Sequence, residues 1–172
     1  MINNLGKYLL TFVIYVLIFQ VLIINNINLG FYIHPYIYIL FILILPIEIS
    51  GWLLLILSFI SGLTIDMFVN SPGIHASASV FLGFMRPFVI KSISPRIGYE
   101  SGSLPIPSHL GFAWFFRYTV ICVILHHLFL FFVDAFTFSQ LWFIFLKIIL
   151  SSIFTIIFVL IIQLFSKTRK KN

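Results

Sequence analysis

Apolar residues run through this chain in stretches of about twenty, the length that crosses a bilayer as a helix, separated by short polar or turn-forming breaks. The pattern predicts spans at about Leu5–Ile24, Tyr32–Ile47, Gly51–Val69, Gly73–Ile90, Phe112–Phe132 and Leu141–Phe165. The breaks carry the chemistry expected of them. Asn25 to Gly30 follows the first run, and Pro46 and Glu48 close the second. Asn70-Ser71-Pro72-Gly73 is a tight turn after the third. Ser92–Gly111 is the long polar segment, and Pro95, Pro105 and Pro107 with Gly98 and Gly102 argue against regular structure there. Asp134 to Gln140 is a short turn before the last run. The second run, opened by His34-Pro35, is short for a bilayer, so a thin, tilted or partly re-entrant helix is expected.

Composition makes the same point. The 172 residues are 62% hydrophobic and 8% charged, against about 25% charged in an ordinary soluble domain. The expected fold is therefore all-α, one polytopic membrane domain of about six helices, with no room for a separate soluble domain. The first run is too long for a signal peptide's apolar segment and lacks a small-residue cleavage site after it, so it is expected to stay as a span. The single cysteine, Cys122, lies in an apolar run and reads as a small buried side chain.

Charge sets the orientation. With the N-terminus in the cytoplasm, Lys7, the loop with Lys91 and Arg96, and the tail with Lys167, Arg169, Lys170 and Lys171 all fall on the cytoplasmic side. The breaks after spans 1, 3 and 5 carry no Lys or Arg. The basic tail reads as an orientation signal and a contact for anionic lipid rather than for nucleic acid.

Polar residues inside the spans are costly in hydrocarbon and so point to sites or to structural pairing. Gly62 and Asp66 lie four apart, on one face of the third span, with Ser58 and Ser61 beside them; small residues there let a neighbouring helix approach. The fourth span, with Ala76, Ser77, Ala78, Ser79 and Gly83, is the least bulky and is expected in the interior. Gly73 and His75 begin it, and Arg86-Pro87 lies towards its other end, too far to reach Asp66. His126 and His127 lie in span 5 and Lys147 in span 6. Depth counting gathers Asp66, His75, one of the two adjacent histidines and Lys147 in the outer half of the membrane. Asp66 with Lys147 is the leading ion pair, against snorkelling of Lys147 to the headgroups. Adjacent helical residues point about 100° apart, so one histidine is expected at an interface. Structural pairing is the plainer reading of Asp66, and a cap or turn contact that of His75. No Walker A, GxSxG or HExxH pattern is present, and no catalytic, cofactor or metal residues are assigned.

These residues carry a resemblance. In length, in–in topology, the Gly62-Leu63-x-x-Asp66 end of span 3, the turn to Gly73 and the Arg86-Pro87 end of span 4, the chain resembles the MreD family, the small membrane component of the bacterial rod-shape system. Asn25-Asn26-Ile27-Asn28-Leu29-Gly30, His34-Pro35, Ile93-Ser94-Pro95-Arg96 and His126-His127 resemble Bacteroidetes-type members in particular. The resemblance spans nearly the whole chain, and the Ser92–Gly111 loop departs from shorter relatives. It implies a non-enzymatic scaffold or regulator of cell-wall elongation in the inner membrane. Its implied partners are an MreC-like membrane protein and, through it, MreB, RodA and a penicillin-binding transpeptidase; a homodimer is left open. It also implies a fold similar to the S-components of energy-coupling-factor vitamin transporters, and with it a second reading as a small-molecule-binding subunit. An outward-facing polar cavity would favour the second reading and a packed polar knot the first.

Overall fold

The computed structural model describes residues 2–27, 29–136 and 141–165, and among them every regular element is helical. The first helix begins as α1 (Ile2–Phe12), continues in a wider π winding over Val13–Ile23 and closes in a 3₁₀ turn at Ile24–Asn26. Its buried residues, Tyr15 and Val16, then Gln20 and Val21, recur at five, the spacing that winding brings to one face. The other elements are α2 (Ile39–Ile44), α3 (Gly51–Val69), α4 (Ile74–Ser92), α5 (Pro107–Leu110), α6 (Phe112–Ala135) and α7 (Leu141–Phe165).

Among the described residues, four helices are long and apolar enough to cross a membrane: Gly6–Asn26, α3, α6 and α7. Their outward faces carry exposed Leu9, Leu22, Ile56, Phe59, Ile149 and Ile153, as lipid contact requires. The protein is thus an all-helical membrane protein. Helix α4 is as long as α3 but more polar, and it packs between α3 and α6; α7 packs on α6.

The second predicted span takes a different form. Only Ile39–Ile44 is α-helical, about 9 Å of rise, far less than a bilayer. Pro35 precedes this helix and Pro46 follows it. Ile39 through Leu43 are buried all round, so α2 fills the middle of the bundle against the first helix, α3, α4 and α6. Non-helical backbone at membrane depth is tolerated only where protein satisfies its polar groups. Side chains from neighbouring helices do so here, as the site shows.

Loop 93–111 folds back on the bundle. Tyr99 donates its hydroxyl to the Ile90 carbonyl at 2.8 Å, and Trp114 Nε1 donates to Ile93 O at 3.1 Å. Expected as irregular, the loop is built of turns with the single helical turn α5. The basic tail and residues 137–140 lie outside the described residues.

Candidate functional site

Asp66 lies one turn before the end of α3 and is buried. Asn70 in the left-handed conformation, then Gly73 at φ 86°, reverse the chain into α4. The first amides of a helix have no partner within it, and Gly73 has no side chain to cap them. Asp66 caps them from the preceding helix. Its Oδ1 accepts from the His75 N–H at 3.0 Å and its Oδ2 from the Ala76 N–H at 2.8 Å. A carboxylate also suits the positive end of the α4 dipole. Ser71 Oγ donates to Oδ1, and His75 Nδ1 lies 3.0 Å from the same oxygen.

Gly62 makes this possible. A Cβ there would stand 2.3 Å from the His75 carbonyl oxygen and 2.5 Å from Ala76 Cα, so the two helix backbones touch at this point. Gly83 of α4 meets Ser58 of α3 in a second close approach. Gly62, Asp66, Gly73 and His75 are therefore one device: a close contact, a turn and a cap that fix α4 against α3.

The expected Asp66–Lys147 ion pair does not form. The ion pair among the described residues is Asp66 with His75. Lys147 instead places Nζ 4.8 Å from the centre of the Phe31 ring. Asp66 is saturated by donors from its own turn and α4, which leaves it no place for a distant ammonium.

His126 and His127 are both fully buried, which corrects the expectation that one is interfacial. The 100° between them sends each to a different partner, because α6 is covered on two sides. His126 Nε2 lies 2.7 Å from the Tyr38 hydroxyl, which itself lies 3.5 Å from Ser79 Oγ. His127 Nδ1 lies 2.9 Å from the Val123 carbonyl, which only accepts, so Nδ1 carries the proton and Nε2 accepts from Thr155 of α7 at 3.1 Å. The Thr155 hydroxyl in turn accepts the Tyr36 N–H at 3.0 Å. The Tyr36 ring packs among His75, His126, His127 and Phe131.

The chain around α2 is held at both ends. On the entry side, Gln20 Oε1 accepts from Ile37 N at 2.6 Å and Tyr38 N at 3.3 Å, and its Nε2 donates to the Pro35 carbonyl. Ser151 Oγ accepts the His34 N–H at 2.9 Å. On the exit side stands Arg86, fully buried, with Nε donating to the Tyr118 hydroxyl at 2.8 Å. Its other nitrogens donate to the carbonyls of Leu43, Leu45 and Pro46. No carboxylate pairs with it among the described residues; the negative end of α2 does that work. Pro87 follows within α4, where its missing N–H leaves the Gly83 carbonyl without its usual helical donor.

Of the residues singled out in the sequence, one group meets at the α3–α4 turn, the histidines join Tyr36 and Tyr38, Arg86 works at the opposite end of α2, and Lys147 stands apart. Tyr36, Tyr38, Tyr118, Ser151 and Thr155 were not singled out. Their signal was a hydroxyl at an interior position of an apolar run, which alone does not say where the partner lies. No protein-family model, curated protein or solved structure matches this chain.

Proposed function

We propose that this protein is a non-enzymatic scaffold of the bacterial cell-wall elongation complex, similar to MreD. In this reading it crosses the inner membrane six times, with Tyr32–Ile47 counted as a broken pass and both termini in the cytoplasm. It acts through helix contacts with an MreC-like protein.

The observation that carries the choice is the filled interior. Helix α2 occupies the middle of the bundle, and Gln20, Tyr38, Arg86, Tyr118, His127 and Thr155 around it are held by hydrogen bonds, while His126 Nδ1 and Thr119 Oγ1 have no partner among the described residues. Apart from a larger pocket at the outer end of α6 and α7, away from α2, the polar pocket that reaches His75, bounded by Gln20, His34 and Tyr36, holds about 270 Å³. That is below the usual range for a small-molecule site, about 300–1,000 Å³. A packed knot suits a rigid body that other helices recognise, and a vitamin-binding subunit needs a chamber instead. The apolar grooves along α3, α4 and α6, bounded by Phe59, Phe81, Phe84 and Phe129, offer surface to a partner helix.

Depletion of the protein in its own cells tests the reading. Loss of rod shape, with incorporation of labelled wall precursor along the side wall falling before growth stops, is expected. Unchanged shape and side-wall incorporation after depletion would refute it.

A further inference from the structure

Between the end of α6, the start of α7 and the Phe31-Tyr32 corner lies a half-open pocket of about 470 Å³. It holds one cation, Lys147, and one anion, Asp134, which do not pair with each other. Lys147 is placed at a cost, whereas Asp134 is exposed at the end of α6. Lys147 stands about two turns into α7, a strongly apolar helix. Its ammonium rests over the Phe31 ring and donates to no protein acceptor among the described residues. Asp134 sits in the last turn of α6, where the helix dipole disfavours negative charge, and no ion pair offsets it among the described residues. The remaining wall is aromatic, with Tyr32 and Phe143 stacked at 6.3 Å.

We propose that this pocket binds the headgroup of a zwitterionic phospholipid of the phosphoethanolamine type, its phosphate on Lys147 and its ammonium on Asp134. The two charges complement an ammonium and a phosphate carried on one small molecule, and they answer neither alone. A lipid is the source favoured over a free amino acid by position. The pocket is at the end of the bundle, lined by Phe143, and exposed Trp142, of a residue type that gathers at the headgroup level, is next to it in α7. The inference is independent of the scaffold reading.

Native mass spectrometry of the purified full chain in detergent tests it. The probes are three lipids with identical oleoyl chains, bearing phosphoethanolamine, phosphoglycerol or phosphocholine headgroups, added in equal amounts. The wild type is expected to retain one phosphoethanolamine lipid in preference to the others. Lys147→Gln should weaken retention about tenfold, the factor carried by one charge-assisted hydrogen bond. Asp134→Asn should abolish the preference over phosphoglycerol, and Asp134→Glu should keep it. Equal retention of the three lipids by the wild type, or a preference unchanged in both charge-removing variants, overturns the proposal. So does displacement of the lipid by millimolar free alanine or glycine, which would assign the pocket to a soluble zwitterion.

Discussion

The contact at Gly62 is where one added methyl group should cost most. In Gly62→Ala the new Cβ would fall 2.3 Å from the His75 carbonyl oxygen and 2.5 Å from Ala76 Cα. Ordinary contact is about 3.5 Å, so α3 and α4 must part by about 1 Å. Both obstacles are backbone, and neither can rotate away. The same movement stretches the bonds from His75 N and Ala76 N to Asp66, now 3.0 and 2.8 Å, towards 4 Å, roughly beyond hydrogen-bond range. Overpacking of this kind costs about 1–3 kcal/mol, and weakening two buried bonds adds about 1 kcal/mol each. Gly83→Ala is the control. Its Cβ would meet Ser58 Oγ at 2.6 Å, a rotatable hydroxyl with no partner of its own to lose, and Ser58 Cβ at 3.1 Å, which need give by only a few tenths of an ångström, whereas both obstacles at Gly62 are backbone. A cost below about 1 kcal/mol is expected there. Cys122 supplies the assay, being the single thiol and fully buried. Its labelling rate in detergent with rising denaturant reports opening of the bundle. Gly62→Ala should label at clearly lower denaturant than wild type, with Gly83→Ala close to wild type. Coincident curves for the two variants would refute the close-contact account of Gly62.

Other substitutions separate the remaining contacts. Asp66→Ala leaves the His75 and Ala76 amides without an acceptor, at about 1–3 kcal/mol each, and the same thiol assay should register it. Arg86→Lys keeps the charge but loses the fork that reaches Tyr118 and three carbonyls together; a loss of about 1–3 kcal/mol is expected, and wild-type stability would contradict the capping role of Arg86. Gln20→Leu should destabilise by about 1–3 kcal/mol by uncapping the start of α2, with faster amide exchange at Ile37 and Tyr38. Lys147→Ala should change stability by less than about 1 kcal/mol, since the fold uses this residue through one ring contact.

Much of the fold was legible because a membrane imposes a simple pattern. The apolar runs that became the first helix, α3, α6 and α7 were marked by length, and the turn at Asn70–Gly73 by its residues. Small residues marked a face of α3 that a neighbouring helix approaches, without saying that the neighbour is α4, and the spacing of Gly62 and Asp66 put them on one face. Two things were hidden, and a third was visible only as a run too short for a bilayer. Depth counting brought Lys147 level with Asp66, but depth says nothing about azimuth around the bundle, and the nearer donors of the turn took the carboxylate. Helical geometry separated His126 from His127, yet it does not say how many sides of α6 are covered. The Tyr32–Ile47 run reads as a span by hydropathy, because a segment buried in protein is as apolar as one buried in lipid. Its broken form depends on Gln20, Arg86, Ser151 and Thr155, contributed from distant points of the chain.

The scaffold reading is tested most directly by what the protein holds in its own membranes. The measurement is affinity purification of the tagged chain in mild detergent, with mass spectrometry of proteins and small molecules together. An MreC-like protein recovered with other wall-elongation components is the predicted result. An ATPase module or a stoichiometric soluble ligand, without wall-synthesis partners, would contradict it and favour a transport subunit.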